Sequence, residues 1–252
     1  MTAVRDPALA ACGRAHAGPA AGRELRTVLE LVSPMLRRSA AALWCTDDMR
    51  ERYRRYLPVM HAVTRASVPL MELAVDHCLR AGPDDRVLGL LGRYLPTHIE
   101  QELHHDDWLV RDMAAAGLAP SLELARPPSP DVARLVGAQY YWINHYHPIC
   151  LLGYIAVLEL NAPAVGLADL LAEGTGLPAS AFDTLRLHAE IDSEHSRAIL
   201  TLLDEAALSA ELRHGVRMSA LHTVRALADV FGGLTTTEKR TRYDVRTRSQ
   251  PS

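Results

Sequence analysis

Two stretches of the chain repeat one arrangement of metal-binding side chains. HIEQELHHDDW carries His98, Glu102 and His105, and HAEIDSEH carries His188, Asp192 and His195. Both read His-x-x-x-carboxylate-x-x-His. On a helix advancing about 100° per residue, steps of four and three residues miss whole turns by only about 40–60°, so each triplet occupies one stripe. A lone Glu in an apolar run precedes each triplet: Glu72 in VPLMELAV, 30 residues before Glu102, and Glu159 in YIAVLEL, 33 before Asp192. Two helices giving one Glu each, with two more giving a carboxylate-x-x-His pair, is the ligand recipe of a two-metal carboxylate site inside a helical bundle.

The surroundings of these residues argue against simple solvation. A single helical His is usually structural, and helical carboxylates such as Glu100, Asp106, Asp107, Glu190 and Glu194 are read as solvated. The triplets differ, because apolar residues flank them on the same stripe. Leu185, His188, Asp192, His195, Ile199 and Leu202 share one face, and Leu91, Leu95, His98, Glu102, His105 and Leu109 share another. Glu159 lies in LLGYIAVLEL, a run apolar enough to be buried all round. A buried lone carboxylate has to be protonated, paired or metal-bound. An ion pair with an arginine is the competing structural reading. Imidazole and carboxylate without thiolate suit iron or manganese better than structural zinc. Six or seven such ligands suffice for two ions roughly 3.5–4 Å apart.

Helices must position these groups, and helical periodicity dominates the chain. Ala, Leu, Arg and Glu are abundant and strict apolar/polar alternation is missing, so the fold class is all-α. Seven main helices are expected at about 22–46, 48–81, 84–117, 130–161, 165–174, 178–206 and 209–232. AGPDD, ARPPSPD, NAP and GTGLP punctuate them, and Pro34, Pro58, Pro69, Pro96 and Pro148 are expected to kink or split several. The ligand-bearing helices interleave along the chain, which predicts one domain over residues 21–232. Residues 1–20 read as a disordered tail and 233–252 as a flexible basic tail.

Composition narrows the class further. Of 252 residues 48% are apolar and the net charge is −3, which speaks against disorder and against a nucleic-acid partner. No apolar run reaches the roughly 18 residues of a membrane span, and no signal-type stretch opens the chain, so a cytoplasmic protein without a membrane partner is expected. Cys12, Cys45, Cys78 and Cys150 are widely spaced and read as reduced thiols, two of them core fillers.

The segments SVPLMELA, HIEQELHHDDWLVRDM, GAQYYWINHYHPICLLGYIAVLE, HAEIDSEH and MSALHTVRALADVF resemble the iron-containing redox enzymes of haem-oxygenase-like fold, the haem-oxygenase-like diiron oxidases. The resemblance covers about residues 50–230. Its most specific part, His188-x-x-x-Asp192-x-x-His195, looks like that family's third-helix ligand set. Glu102 and His105 match a carboxylate-x-x-His pair of some members, and Glu72 and Glu159 match the lone glutamates. One departure is His98, where some members carry a Glu, and it is read as standing behind the ligands rather than on the metal.

The resemblance implies a haem-oxygenase-like helical bundle that takes up two Fe(II) ions and uses O2 to oxidise a small organic molecule. The substrate would be of amino-acid, amine or fatty-acid type, as in natural-product biosynthesis. Glu72, Glu102, His105, Glu159, His188, Asp192 and His195 would hold the irons, with no catalytic group beyond these ligands. Arg225, in an apolar stretch, is a candidate for holding a substrate carboxylate, or it extends to the surface. Homodimers are compatible with such a scaffold. Two alternatives stay open: a ferritin-like diiron protein, whose ligand arithmetic does not need His188, and a metal-free enzyme or binding protein on the same scaffold.

Overall fold

In a computed structural model of the chain, residues 20–81 and 85–236 are described, apart from the side chains of residues 192–194. Among them the regular structure is all helical: α1 Ala21–Trp44, α2 Met49–Thr64, α3 Ser67–Arg80, α4 Arg86–Glu102, α5 His105–Ala115, α6 Pro120–Leu124, α7 Pro130–His145, α8 Leu151–Leu160, α9 Leu167–Thr175, α10 Asp183–Glu205 and α11 Ala210–Thr235. Several starts follow from local chemistry. Asp85, Ser129 and Ser209 each accept a backbone N–H of the first turn of α4, α7 and α11, and Pro130 occupies the first position of α7.

The apolar run LLGYIAVLEL becomes α8, whose residues Leu151–Val157 are all buried. It packs against α11, α10 and α7, while α1 lies across α10 and α11, α3 pairs with α4, and α2 pairs with α5. Close approach of α8 to α11 depends on Gly153, where an added Cβ would stand 2.3 Å from the Val216 carbonyl oxygen. Glu159 sits near the end of this central helix.

Three of the expected helices are divided. The stretch 48–81 turns at Arg65 and Ala66, so Pro69 falls in the first turn of α3, where its missing N–H is harmless. The stretch 130–161 breaks at Tyr146 and His147, ahead of Pro148. Pro34, Pro58 and Pro96 do not end their helices. The third break has no proline. Residues 84–117 part at Leu103 and His104, with His104 in the left-handed region at φ 70°. Acidic Asp106 and Asp107 in the first turn of α5 favour a helix start there, and the His104 ring meets the Asp107 carboxylate at 3.0 Å. The short α6 escaped periodicity because five residues hold too few turns.

α11 continues to Thr235, beyond the expected end at residue 232. Residues 1–19 and 237–252, most of the two expected tails, lie outside the described residues. No helix among the described residues is long and apolar enough to cross a membrane. Cys78 and Cys150 are buried and Cys45 is exposed. Burial pushes the Cys78 thiol up to about 11 and the Cys150 thiol up to about 12, which leaves both protonated fillers.

Candidate metal centre and its cavity

The end of α4, the start of α5, the end of α8 and the middle of α10 converge on one buried cluster. His98, Glu102, Glu159 and His195 each offer a ligand atom, and these atoms all lie within 4.8 Å of one another. His98 Nε2 is 3.6 Å from Glu159 Oε1. His195 Nδ1 is 3.5 Å from the same oxygen and 3.6 Å from Glu102 Oε1. The other oxygen of Glu102, Oε2, is 3.3 Å from His105 Nδ1. The His105 ring meets the His188 ring edge-on at 5.2 Å, and the His98 ring meets that of His195 likewise at 5.0 Å. Glu102 therefore stands between two imidazole pairs, with one oxygen toward each.

Burial makes this arrangement costly without a further partner. His98 is 2% exposed, His105 3%, and Glu159 and His195 8%. Glu159 Oε2 and His105 Nδ1 make no hydrogen bond among the described residues. Burial raises the Glu159 carboxyl above its ordinary range against the pull of His195. It lowers His98 and His188, so both imidazoles are neutral with lone pairs available at neutral pH. Burial also pushes Glu102 upward, but the combined pull of His105, His98 and His188 outweighs it and leaves Glu102 low.

The residues fit a metal. Two ligands on one ion at bond lengths of about 2.1 Å stand roughly 3.0–3.6 Å apart, beyond a good hydrogen bond. The four separations of 3.3–3.6 Å fall in that range. Second partners orient the rings. His188 Nδ1 faces the Thr184 carbonyl at 2.9 Å, which assigns a proton to Nδ1 and leaves Nε2 as the free lone pair. Trp108 stacks on His105 with centroids 3.9 Å apart, and Tyr94 stacks on His98 at 5.4 Å.

The expected ligands are not all brought together. His98, expected behind the ligands, is one of the four clustered groups. Glu72 is exposed and outside the cluster, because α3 buries its other face through Leu70, Met71, Ala74 and Cys78. The apolar neighbours of Glu72 belong to that face, and the carboxylate does not. Asp192 lies on α10 between His188 and His195, but its side chain is outside the described residues. Arg225 points away from the centre: its side chain is 71% exposed and pairs with Asp229 at 3.2 Å. The solvated assignments of Glu100, Asp107 and Glu190 agree with their exposure.

A cavity of about 150 Å³ opens onto the cluster and is walled in part by His98, Glu102, Glu159 and His188. Other parts of its wall come from Tyr53 and Tyr56 of α2, Asp112 of α5 and Thr184 of α10. Sequence reasoning missed these four. Asp112 had a signal available, since it continues the buried stripe of His105 and Leu109 along α5. A larger groove of about 770 Å³, beside α2 and α7, contains none of the clustered groups.

No curated protein matches the chain. Solved structures do. One is a domain of unknown function with a haem-oxygenase-like fold from Shewanella denitrificans, similar at TM-score 0.63 and 17% identity over 85% of this chain and 88% of that one. Another is a TenA homologue from Pseudomonas syringae pv. tomato, with TM-score 0.63 and 17% identity over 83% of this chain and 91% of that one. At such identity the likeness establishes the fold, which is haem-oxygenase-like and sets aside the ferritin-like alternative. The family description "iron-containing redox enzyme" matches residues 96–228, more than half of the chain and the span that holds every clustered ligand. The chain therefore belongs to the family of iron-containing redox enzymes.

Proposed function

We propose that the protein is a non-haem diiron oxidase that uses Fe(II) and O2 to oxidise a small organic substrate of amino-acid, amine or fatty-acid type. The observation that carries this is the placement of Glu102, whose two oxygens face two separate imidazole pairs. One ion would be held by His98, Glu159, His195 and Glu102. The other would be held by Glu102, His105 and His188, with Asp192 added from the sequence spacing. Exposed Glu72 is left out. Bound iron supplies the one-electron steps that make dioxygen reactive toward a C–H or N–H bond.

The chain's own contribution is positional. His98 and His188 are kept neutral by burial and so need not lose a proton before ligating. Thr184 fixes the tautomer of His188. Leu109, Ile155, Leu158 and Leu185 line the cavity and keep water from the reacting bond.

Anaerobic Fe(II) titration tests the proposal, followed by tryptophan fluorescence because Trp108 stacks on His105. About two ions per chain are expected. His188→Ala should retain about one, and His195→Ala should abolish iron-dependent oxygen consumption without loss of helix content. Uptake of clearly less than one ion by the wild-type chain would refute the metalloenzyme.

A further inference from the structure

The cavity contains one carboxylate that the metal reading does not use. Asp112 is 1% exposed and lines the cavity beside Tyr53, Tyr56 and Thr184. Its Oδ2 accepts the Thr184 backbone N–H at 3.1 Å, while Oδ1 accepts no hydrogen bond among the described residues. Arg186, two residues beyond Thr184, is engaged by Asp169, Asp183 and the Ala179 carbonyl rather than by Asp112. A carboxylate kept for structure would have both oxygens satisfied or an arginine against it. Asp112 has no arginine against it and one oxygen without a hydrogen bond. Burial outweighs the Thr184 hydroxyl and the Asp183 amide, which draw its carboxyl down, and it borders a space large enough for a small molecule.

The neighbouring rings complete a recognisable chemistry. Tyr53 and Tyr56 stack with centroids 5.9 Å apart, and Trp44 closes on both from behind at 6.1 and 5.4 Å. The Tyr53 hydroxyl is spent on the Ala181 carbonyl at 2.6 Å, so that residue offers the cavity its ring and not its hydroxyl. Aromatic rings beside a desolvated carboxylate favour an organic ammonium: the carboxylate takes a charge-assisted hydrogen bond, and the rings take the remaining positive charge. A substrate carboxylate would instead meet Asp112 with like charge.

We infer that Asp112, together with Tyr53 and Tyr56, forms the subsite that receives a protonated amine of the substrate. This assignment rests on the proposed oxidase for its meaning as a substrate site, and it narrows the substrate class to amines and amino compounds. Thr184 ties the subsite to the metal centre. Its N–H holds Asp112, its C=O holds His188, and His188 lies one turn further along α10. Burial chiefly raises the Asp112 carboxyl to about 6, as expected for a charge that lacks its counter-ion.

Calorimetric titration of the full-length chain tests this, with Mn(II) loaded in place of iron so that no turnover occurs. The probes are n-pentylammonium and n-pentanol at pH 7.5. Bound ions would neutralise Glu102 and Glu159, the other carboxylates of the cavity, so ammonium binding reports Asp112. The ammonium should bind at least about tenfold tighter than the alcohol. Asp112→Asn should weaken ammonium binding at least about tenfold while the alcohol and the Mn(II) stoichiometry stay unchanged. Equal or tighter binding of the alcohol, no ammonium binding, or full retention by Asp112→Asn each overturns the subsite. If that variant fails to fold, the wild-type order of the two probes decides alone. The two readings fail separately. A chain that binds no metal yet binds ammonium through Asp112 loses the oxidase and keeps the subsite. One that binds metal without preferring ammonium does the reverse.

Discussion

Glu159→Gln distinguishes a metal ligand from a structural ion-pair partner, because the two roles predict opposite signs for the metal-free protein. Glu159 is 8% exposed, its Oε2 has no hydrogen bond among the described residues, and burial raises its carboxyl. An unsatisfied buried charge opposes folding by about 1–3 kcal/mol. The nearly isosteric amide removes that charge, so the chelator-treated variant should be more stable by about 1–2 kcal/mol at pH 7.5, or roughly 2–8 °C in Tm. The sign follows from linkage. A raised carboxyl carries its penalty above its folded pKa and loses it on protonation, so the advantage of the variant shrinks as the pH falls.

With metal the order reverses. Sharing a typical protein–metal binding energy of about 12 kcal/mol over four ligands assigns about 3 kcal/mol to one of them, or roughly 100-fold in affinity. A 100-fold weaker site subtracts about 2.7 kcal/mol from the stabilisation that saturating metal provides. Urea unfolding with chelator and with Mn(II) should therefore show the variant ahead of wild type in the first case and behind it in the second. If Glu159 serves only His98 and His195 as an ion pair, the variant loses about 3–5 kcal/mol without metal and its metal increment does not change. That result would refute the ligand assignment.

Other substitutions probe what positions the site. Gly153→Ala would set a Cβ 2.3 Å from the Val216 carbonyl oxygen and 2.9 Å from the Ala220 nitrogen, forcing α8 and α11 apart. It should cost about 2–4 kcal/mol in urea unfolding and weaken metal uptake through Glu159, six residues further along the helix. His104→Val places a β-branched residue at φ 70° and should cost about 1–2 kcal/mol with looser metal binding, whereas His104→Gly should match wild type in both. Metal-free wild type should lose about 3 kcal/mol through Asp112 as the pH rises from about 3 to 7, because a carboxyl moved from 3.8 to about 6 holds its proton more tightly when folded. Asp112→Asn should flatten that part of the pH profile measured by urea unfolding. Arg225→Ala should change stability by less than about 0.5 kcal/mol and leave substrate affinity unaltered in calorimetry, since its side chain is 71% exposed.

Sequence alone determined what local periodicity carries. The all-α class follows from helix-forming composition without alternation. The inward stripe of Leu185, His188, His195, Ile199 and Leu202 survives in the structure because α10 runs unbroken through it. Glu159 was legible as buried because its neighbours are apolar on every side, which leaves no exposed face to turn to. The first triplet met its partners by another route. Helix periodicity treats residues 98–105 as one stripe, yet α4 ends at Glu102 and α5 begins at His105. No glycine or proline announces that break, and the packing of α4 on α3 and of α5 on α2 and α10 decides it.

The same limit explains Glu72, His98 and Asp112. Glu72 has an apolar neighbourhood in sequence and an exposed place in space, because a helix with one buried face puts adjacent residues about 100° apart. His98 joined the cluster, and Asp112 joined the cavity, only where α8 and α10 crossed their helices. Residue types and local faces are written in sequence order. Which faces meet is set by long-range packing that one-dimensional spacing does not contain.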